Sequence, residues 1–129
     1  MATTQTIGGS GTLFVGEDKS IRLGPVLNRA GIPVDMTGWN IEFVVSASDS
    51  STEPILTRTA TVIGVFNPDP LANTQEAEVV LTDDDLNLFR GSNILTGAKT
   101  YRHSWKRQTP NSETVLARGK FAPEKATAL

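Results

Sequence analysis

The sequence predicts an all-β domain built as an antiparallel β-sandwich, and three features of the chain carry that expectation. Trp39, Ile41, Phe43 and Val45 fall at every second position, the two-residue period of a strand with one buried face. Tyr101, His103 and Trp105 alternate in the same way with Arg102, Ser104 and Lys106. The helix-like signal is confined to residues 83–89, about two turns of helix.

Taken in order, residues 1–12 are rich in Thr, Gly and Ser and lack strand periodicity. They read as a flexible arm when the protein is alone. Ile7, with Leu13 and Phe14 just beyond, would anchor such an arm against a partner. Residues 13–122 form the sandwich domain and 123–129 a tail. Ile21 and Leu23 start the first strand, which Gly24-Pro25 interrupts; a proline cannot donate to a ladder, so this strand lies at an edge or bulges there. Asn28-Arg29-Ala30-Gly31 reads as a turn. In Asp35-Met36-Thr37-Gly38 the two oxygen-bearing side chains can bond nearby N–H groups, and glycine tolerates positive φ. That turn delivers the strand from Trp39 onward.

Residues 55–63 are rich in β-branched side chains and predict one strand with a wet face. Residues 64–75, with Pro68 and Pro70, make a long loop of the sort that meets partners, with Phe66 as its aromatic contact. Ala77, Val79 and Leu81 line one side of the next strand. Thr82-Asp83-Asp84-Asp85 is a capping box with acidic residues at the positive end of a helix. The last two strands run over 98–107 and 114–121, joined by a loop at 108–112.

Composition narrows the function classes. The 129 residues hold no cysteine, so no disulfide framework and no Cys-rich zinc site is expected. The N-terminus shows neither the basic nor the apolar region of a signal peptide, and no apolar run reaches the roughly 20 residues of a membrane helix. A soluble protein made in the cytoplasm is expected. The net charge of −2 argues against binding nucleic acid through a global field. The charge is uneven, however. From Lys99 onward seven basic residues face only two acidic ones. Arg102, Lys106 and Arg107 belong to this cluster, which is either the solvated face of two strands or an electrostatic docking patch.

The candidates for chemistry are few. Asp83-x-Asp85-x-Asn87 opens like a calcium loop, but Leu88 stands where that loop needs glycine and Ile94 where it needs glutamate. Helix capping is the better reading. His103, the only histidine, has Tyr101 and Trp105 as strand neighbours on its face, with no nucleophile or carboxylate beside it; a core or interface histidine with a backbone partner is expected. No Gly-x-Ser-x-Gly elbow occurs. Tyr101 and Trp105 interleave with Arg102, Lys106 and Arg107, but strand periodicity places the aromatics on the face opposite Arg102 and Lys106, separating a stacking platform from its charge. The expectation is a non-enzymatic protein without cofactor or metal.

Beyond composition, the order of "PVDMTGWNIEFVV", "ILTRTATV", "EAEVVLTDDDLNLF", "GAKTYRHSWKR" and "TVLARGKF" resembles the immunoglobulin-like N-terminal domain of bacteriophage baseplate upper proteins and related small phage virion modules. The resemblance spans about residues 13–122. It departs in its longer 64–75 insertion and in ending almost where the module does. It implies an immunoglobulin-like sandwich and a structural role with no chemistry, binding other virion proteins in many copies on a symmetric particle. Capsid decoration and tail, baseplate or neck accessory positions are all compatible with it. A carbohydrate- or receptor-binding module of a phage tail is the alternative.

Overall fold

A computed structural model of the chain describes residues 3–5, 7–8, 19–46, 54–82, 84–85 and 101–122. They form nine strands: β1 (Thr3–Thr4), β2 (Ile7–Gly8), β3 (Lys19–Leu23), β4 (Asn40–Ser46), β5 (Leu56–Thr59), β6 (Thr61–Ile63), β7 (Glu76–Leu81), β8 (Tyr101–Thr109) and β9 (Ser112–Ala122). The fold is an all-β sandwich. One sheet runs β1-β9-β8-β4-β5, with β2 also on β9, and the other runs β3-β7-β6. β3, β7 and β6 form one layer of the sandwich and β4, β8 and β9 the body of the other. All pairs are antiparallel except β1 and β2, which run parallel to β9.

The core lies between the sheets and follows the alternation of the strands. Ile41, Phe43 and Val45 of β4 are fully buried, as is Trp105 of β8. Phe43 sits at the centre: its ring centroid lies 4.9 Å from Trp105, 5.6 Å from His103 and 6.0 Å from Phe121, within the range where edge-on and offset aromatic pairs attract. The smaller sheet supplies Ile21, Leu23, Ala77, Val79 and Leu81. Trp39, expected in this core, is only partly buried at its margin.

Three places depart from the sequence reading. The strand expected over 55–63 is two strands in different sheets. Leu56–Thr59 pairs with β4, Thr61–Ile63 pairs with β7, and Ala60 between them donates its N–H to Ile41 O at 2.8 Å. The loop expected at 108–112 shrinks to Pro110-Asn111, because Thr109 pairs with Ser112; proline followed by a residue at φ 65° is the type II turn pattern. β9 also carries a bulge. Trp105 faces Ala117 while Lys106 faces Val115, so Leu116 and Ala117 are consecutive and both buried.

The third departure is the N-terminal arm. Thr3 and Thr4 pair with Ala117 and Arg118, and Ile7 and Gly8 with Phe121 and Ala122. Ile7 is buried in the core. The part of the expected free arm that is described is therefore sheet, and Ile7 is committed within its own chain. Leu13 and Phe14 lie outside the described residues. So do Asp83 and 86–89 of the expected helical turn, of which Asp84 and Asp85 have helical geometry. The 123–129 tail is also outside them.

Two turn glycines differ in what surrounds them. Gly38 (φ +80°) has nothing within 4 Å of where a Cβ would sit, whereas a Cβ on Gly64 (φ +80°) would lie 2.1 Å from Thr74 O. Gly38→Val should destabilise by about 1–3 kcal/mol through backbone strain alone. Gly64→Ala should cost more than Gly38→Ala, because overlap with a backbone oxygen adds to the strain. Chemical denaturation of the three variants checks both statements; equal losses for the two alanine variants would mean that the 64–75 loop relaxes around the added methyl.

Candidate protein-binding surfaces

Register places three connections at one end of the sandwich. Leu23 pairs with Ala77 and Ile63 with Glu76, while Asn40 pairs with Gln108 and Thr109 with Ser112. The connections 24–39, 64–75 and 110–111 therefore share that end. One side chain locks the first two together. The carboxamide of the buried Gln75 accepts from Met36 N–H at 2.8 Å, and donates to Asp35 Oδ1 at 3.1 Å and Thr37 Oγ1 at 3.2 Å. Asp35 Oδ1 also accepts from Thr37 N–H (3.0 Å) and Thr37 Oγ1–H (2.6 Å). The Thr37 hydroxyl first, then its N–H and Gln75, hold the Asp35 carboxyl below its ordinary pKa. Trp39 N–H closes the turn on Met36 O at 3.0 Å.

The 64–75 connection is held by its own polar side chains. Asn73 Oδ1 accepts from Asn67 N–H, Asn67 Oδ1 from Asp69 N–H, and Asp69 Oδ1 from Leu71 N–H, at 3.0, 2.8 and 3.0 Å. Thr74 Oγ1 accepts from Val65 N–H at 2.9 Å. These side-chain-to-backbone bonds fix the loop without a hydrophobic interior of its own. Two aliphatic side chains stand out from it beside the exposed Asp69 and Thr74. Leu71 is 97% exposed and Val65 72%, while Phe66, the expected contact, is half-buried. In the 24–39 connection Asn28 Oδ1 accepts from Ala30 and Ile32 N–H, and Leu27 and Ile32 are exposed. Sequence reasoning missed Leu27, Ile32, Val65 and Leu71. Leu27 and Ile32 read from the sequence as strand residues, but only an isolated bridge from Leu27 to Pro33 forms there; Val65 and Leu71 stand among turn formers, where no strand or helix period requires an aliphatic residue.

The basic residues divide. Arg102 and Lys106 lie on the outer face of the large sheet, and exposed Arg118 and Lys120 sit on adjoining β9. This face holds a depression of about 380 Å³ over Val44 and Val115, where Glu42 and Glu113 offset the cations. Lys106 pairs with Glu113 at 3.3 Å. Arg107 is separate: its guanidinium lies 3.9 Å from the centroid of the Trp39 ring, a cation–π contact at the loop end. Its buried Nε has no hydrogen-bond partner among the described residues.

Two of the groups considered for chemistry, Asp85 and His103, are bonded within the chain. Asp85 is buried; its Oδ2 accepts from Thr82 N–H at 3.0 Å while its own N–H donates to Thr82 Oγ1 at 3.3 Å, the reciprocal capping box, and it pairs with Arg58. Burial would raise its pKa, but the bonds from Thr82 and Arg58 outweigh this and hold the carboxyl low. His103 Nδ1 faces Lys120 O at 3.1 Å, and Nε2 faces Gln5 Oε1 at 3.0 Å. Gln5 Oε1 also accepts from Trp105 Nε1–H at 2.7 Å, and Gln5 Nε2 donates to Arg22 O at 3.0 Å. Gln5 thus ties β8 of one sheet to β3 of the other.

No family model matches the chain, and no curated protein does.

Burial first, and the nearby Arg102 charge, hold His103 down to about 4, against backbone bonds to Lys120 and Gly119 that favour the charged ring. Its unfolded counterpart takes a proton near the model-peptide value of about 6.5. Between those values the unfolded chain binds the extra proton, so stability is complete above about pH 6.5 and is lost as pH falls toward 4. Between pH 7 and 5 the wild type should lose about 2 kcal/mol, mostly above the carboxylate range. His103→Gln should lose much less over the same interval. Urea denaturation at both pH values measures the difference, and parallel losses would show that His103 is not the group responsible.

Proposed function

We propose that this protein is a non-enzymatic structural subunit of a bacteriophage virion, which binds neighbouring virion proteins in many copies on a symmetric particle. The observation that carries the reading is the loop end. Gln75 locks two connections there, and Leu27, Ile32, Val65 and Leu71 stand exposed on backbones already held by hydrogen bonds. A pre-ordered apolar surface loses little conformational entropy on docking. Many such weak contacts on one particle add up to firm attachment through effective concentration. The sandwich fold fits the phage-module resemblance of the sequence, which implies the same role. The commitment of His103 and Asp85 to internal bonds fits a protein that works by shape.

The carbohydrate-binding alternative draws less support. Trp105 is fully buried and Trp39 lies beneath Arg107, so neither offers an open face for a sugar ring.

Mass spectrometry of purified particles from the source phage should find this chain as a virion component, and its absence would end the reading. Val65→Asp with Leu71→Asp should weaken attachment to particles by roughly tenfold or more, the scale of about 1.4 kcal/mol at an interface anchor. Both side chains are exposed in the isolated chain, so the thermal midpoint should stay nearly unchanged. Unaltered attachment would place the contact elsewhere.

A further inference from the structure

The segment holding β1 and β2 occupies a slot shaped for it. Gly119 forms the floor: a Cβ there would lie 1.7 Å from Gln5 O, so only glycine admits the backbone this closely. Gln5 N–H donates to Arg118 O at 2.9 Å. Deeper in, Trp105 Nε1–H and the His103 ring meet Gln5 Oε1, and Arg22 O meets Gln5 Nε2. Two residues on, Ile7 fills an apolar position beside Phe121. The slot therefore reads an extended parallel segment with glutamine followed two residues later by an aliphatic side chain. The strand-addition mode of peptide recognition has these parts: main-chain bonds for affinity, and pockets at alternate positions for selection.

Every one of these contacts is between the segment and the body of the domain, so the same segment from another copy reproduces them all. We infer that the slot along β9 is an exchange site, in which the β1–β2 segment of a neighbouring copy replaces the chain's own. Exchange of an identical element costs no contacts. Attachment within one chain has the advantage of a short tether, worth effective concentrations in the millimolar range. That advantage disappears where copies are packed side by side at comparable density. The inference therefore rests on the multi-copy reading above, and its failure would leave that reading standing.

The chain has no cysteine, which permits a clean test with two full-length variants. Thr4 and Arg118 are paired residues and both are exposed. Thr4→Cys and Arg118→Cys, each purified alone, are mixed at about 1 mM, the density at which exchange competes with the tether, then oxidised and run on a non-reducing gel. Each variant holds one half of the pair, so a specific cross-link between them forms only by exchange. The expected result is the mixed dimer as the main cross-linked species, well above either homodimer. Adding Gly119→Ala to the Arg118→Cys chain should abolish that excess by closing the slot. A mixed dimer no more abundant than the homodimers, or one indifferent to Gly119→Ala, would overturn the inference.

Discussion

Two polar ring groups at the heart of this sandwich have to be satisfied, and much of the architecture follows from how. Trp105 is fully buried and His103 nearly so, and both meet Gln5 Oε1. A buried donor left without a partner costs about 1–3 kcal/mol. Gln5 removes that cost and joins the sheets in the same act, since its carboxamide accepts from Trp105 on one side and donates to Arg22 O on the other. The price of placing an amide here is a strand that approaches β9 without side-chain interference, and Gly119 supplies the room. One polar requirement in the core thus dictates the residue that meets it, the glycine opposite, and the parallel pairing of the N-terminal segment.

The opposite kind of economy governs the loop end. The 64–75 connection is too polar to fold around an interior of its own, so its Asn, Asp and Thr side chains substitute for the missing secondary structure by bonding backbone N–H groups. Gln75 then fastens it to the Asp35–Thr37 turn. With the polar groups turned inward on the backbone, the aliphatic side chains are left outside. This inversion leaves exposed aliphatic side chains on a backbone that hydrogen bonds already hold.

Legibility in the sequence follows the same division. The core of β4 and β8 was readable because one buried face imposes a period of two, and the Asp35–Gly38 turn and the Thr82–Asp85 box were readable because their chemistry is local. The break at Ala60 was not, because residues 55–63 alternate acceptably in either sheet, and the partner strands decide where the crossing falls. Leu116 escaped for a similar reason: a bulge is a property of the pair. Gln5 and Gln75 look like surface residues until the groups that bury them arrive from 17 to 100 and from 38 to 40 positions away in the chain. The arm was misread because its signal lies in the slot, while the segment itself, with its threonines and glycines, carries almost none. Of the predicted contacts, Ile7 is core, Arg107 covers Trp39, and Phe66 is half-buried, since exposure at a loop is fixed by hydrogen bonds that hydropathy does not register.

The edges of the sheets tie the core and the surface together. β5 and β6 are edge strands of 4 and 3 residues, too short to recruit another chain, and the split at Ala60 keeps them so. β9, at 11 residues, is the longest strand and would be the most hazardous edge if left open. The N-terminal segment covers its C-terminal half. A segment that departed without replacement would uncover that edge, strand Trp105 Nε1 without its partner and expose Ile7. Such a state is penalised three times over. Each of the three is relieved by a segment that supplies the Gln5 carboxamide, the Ile7 side chain and the strand pairing together, so the features that hold the closed chain also define what can take the segment's place.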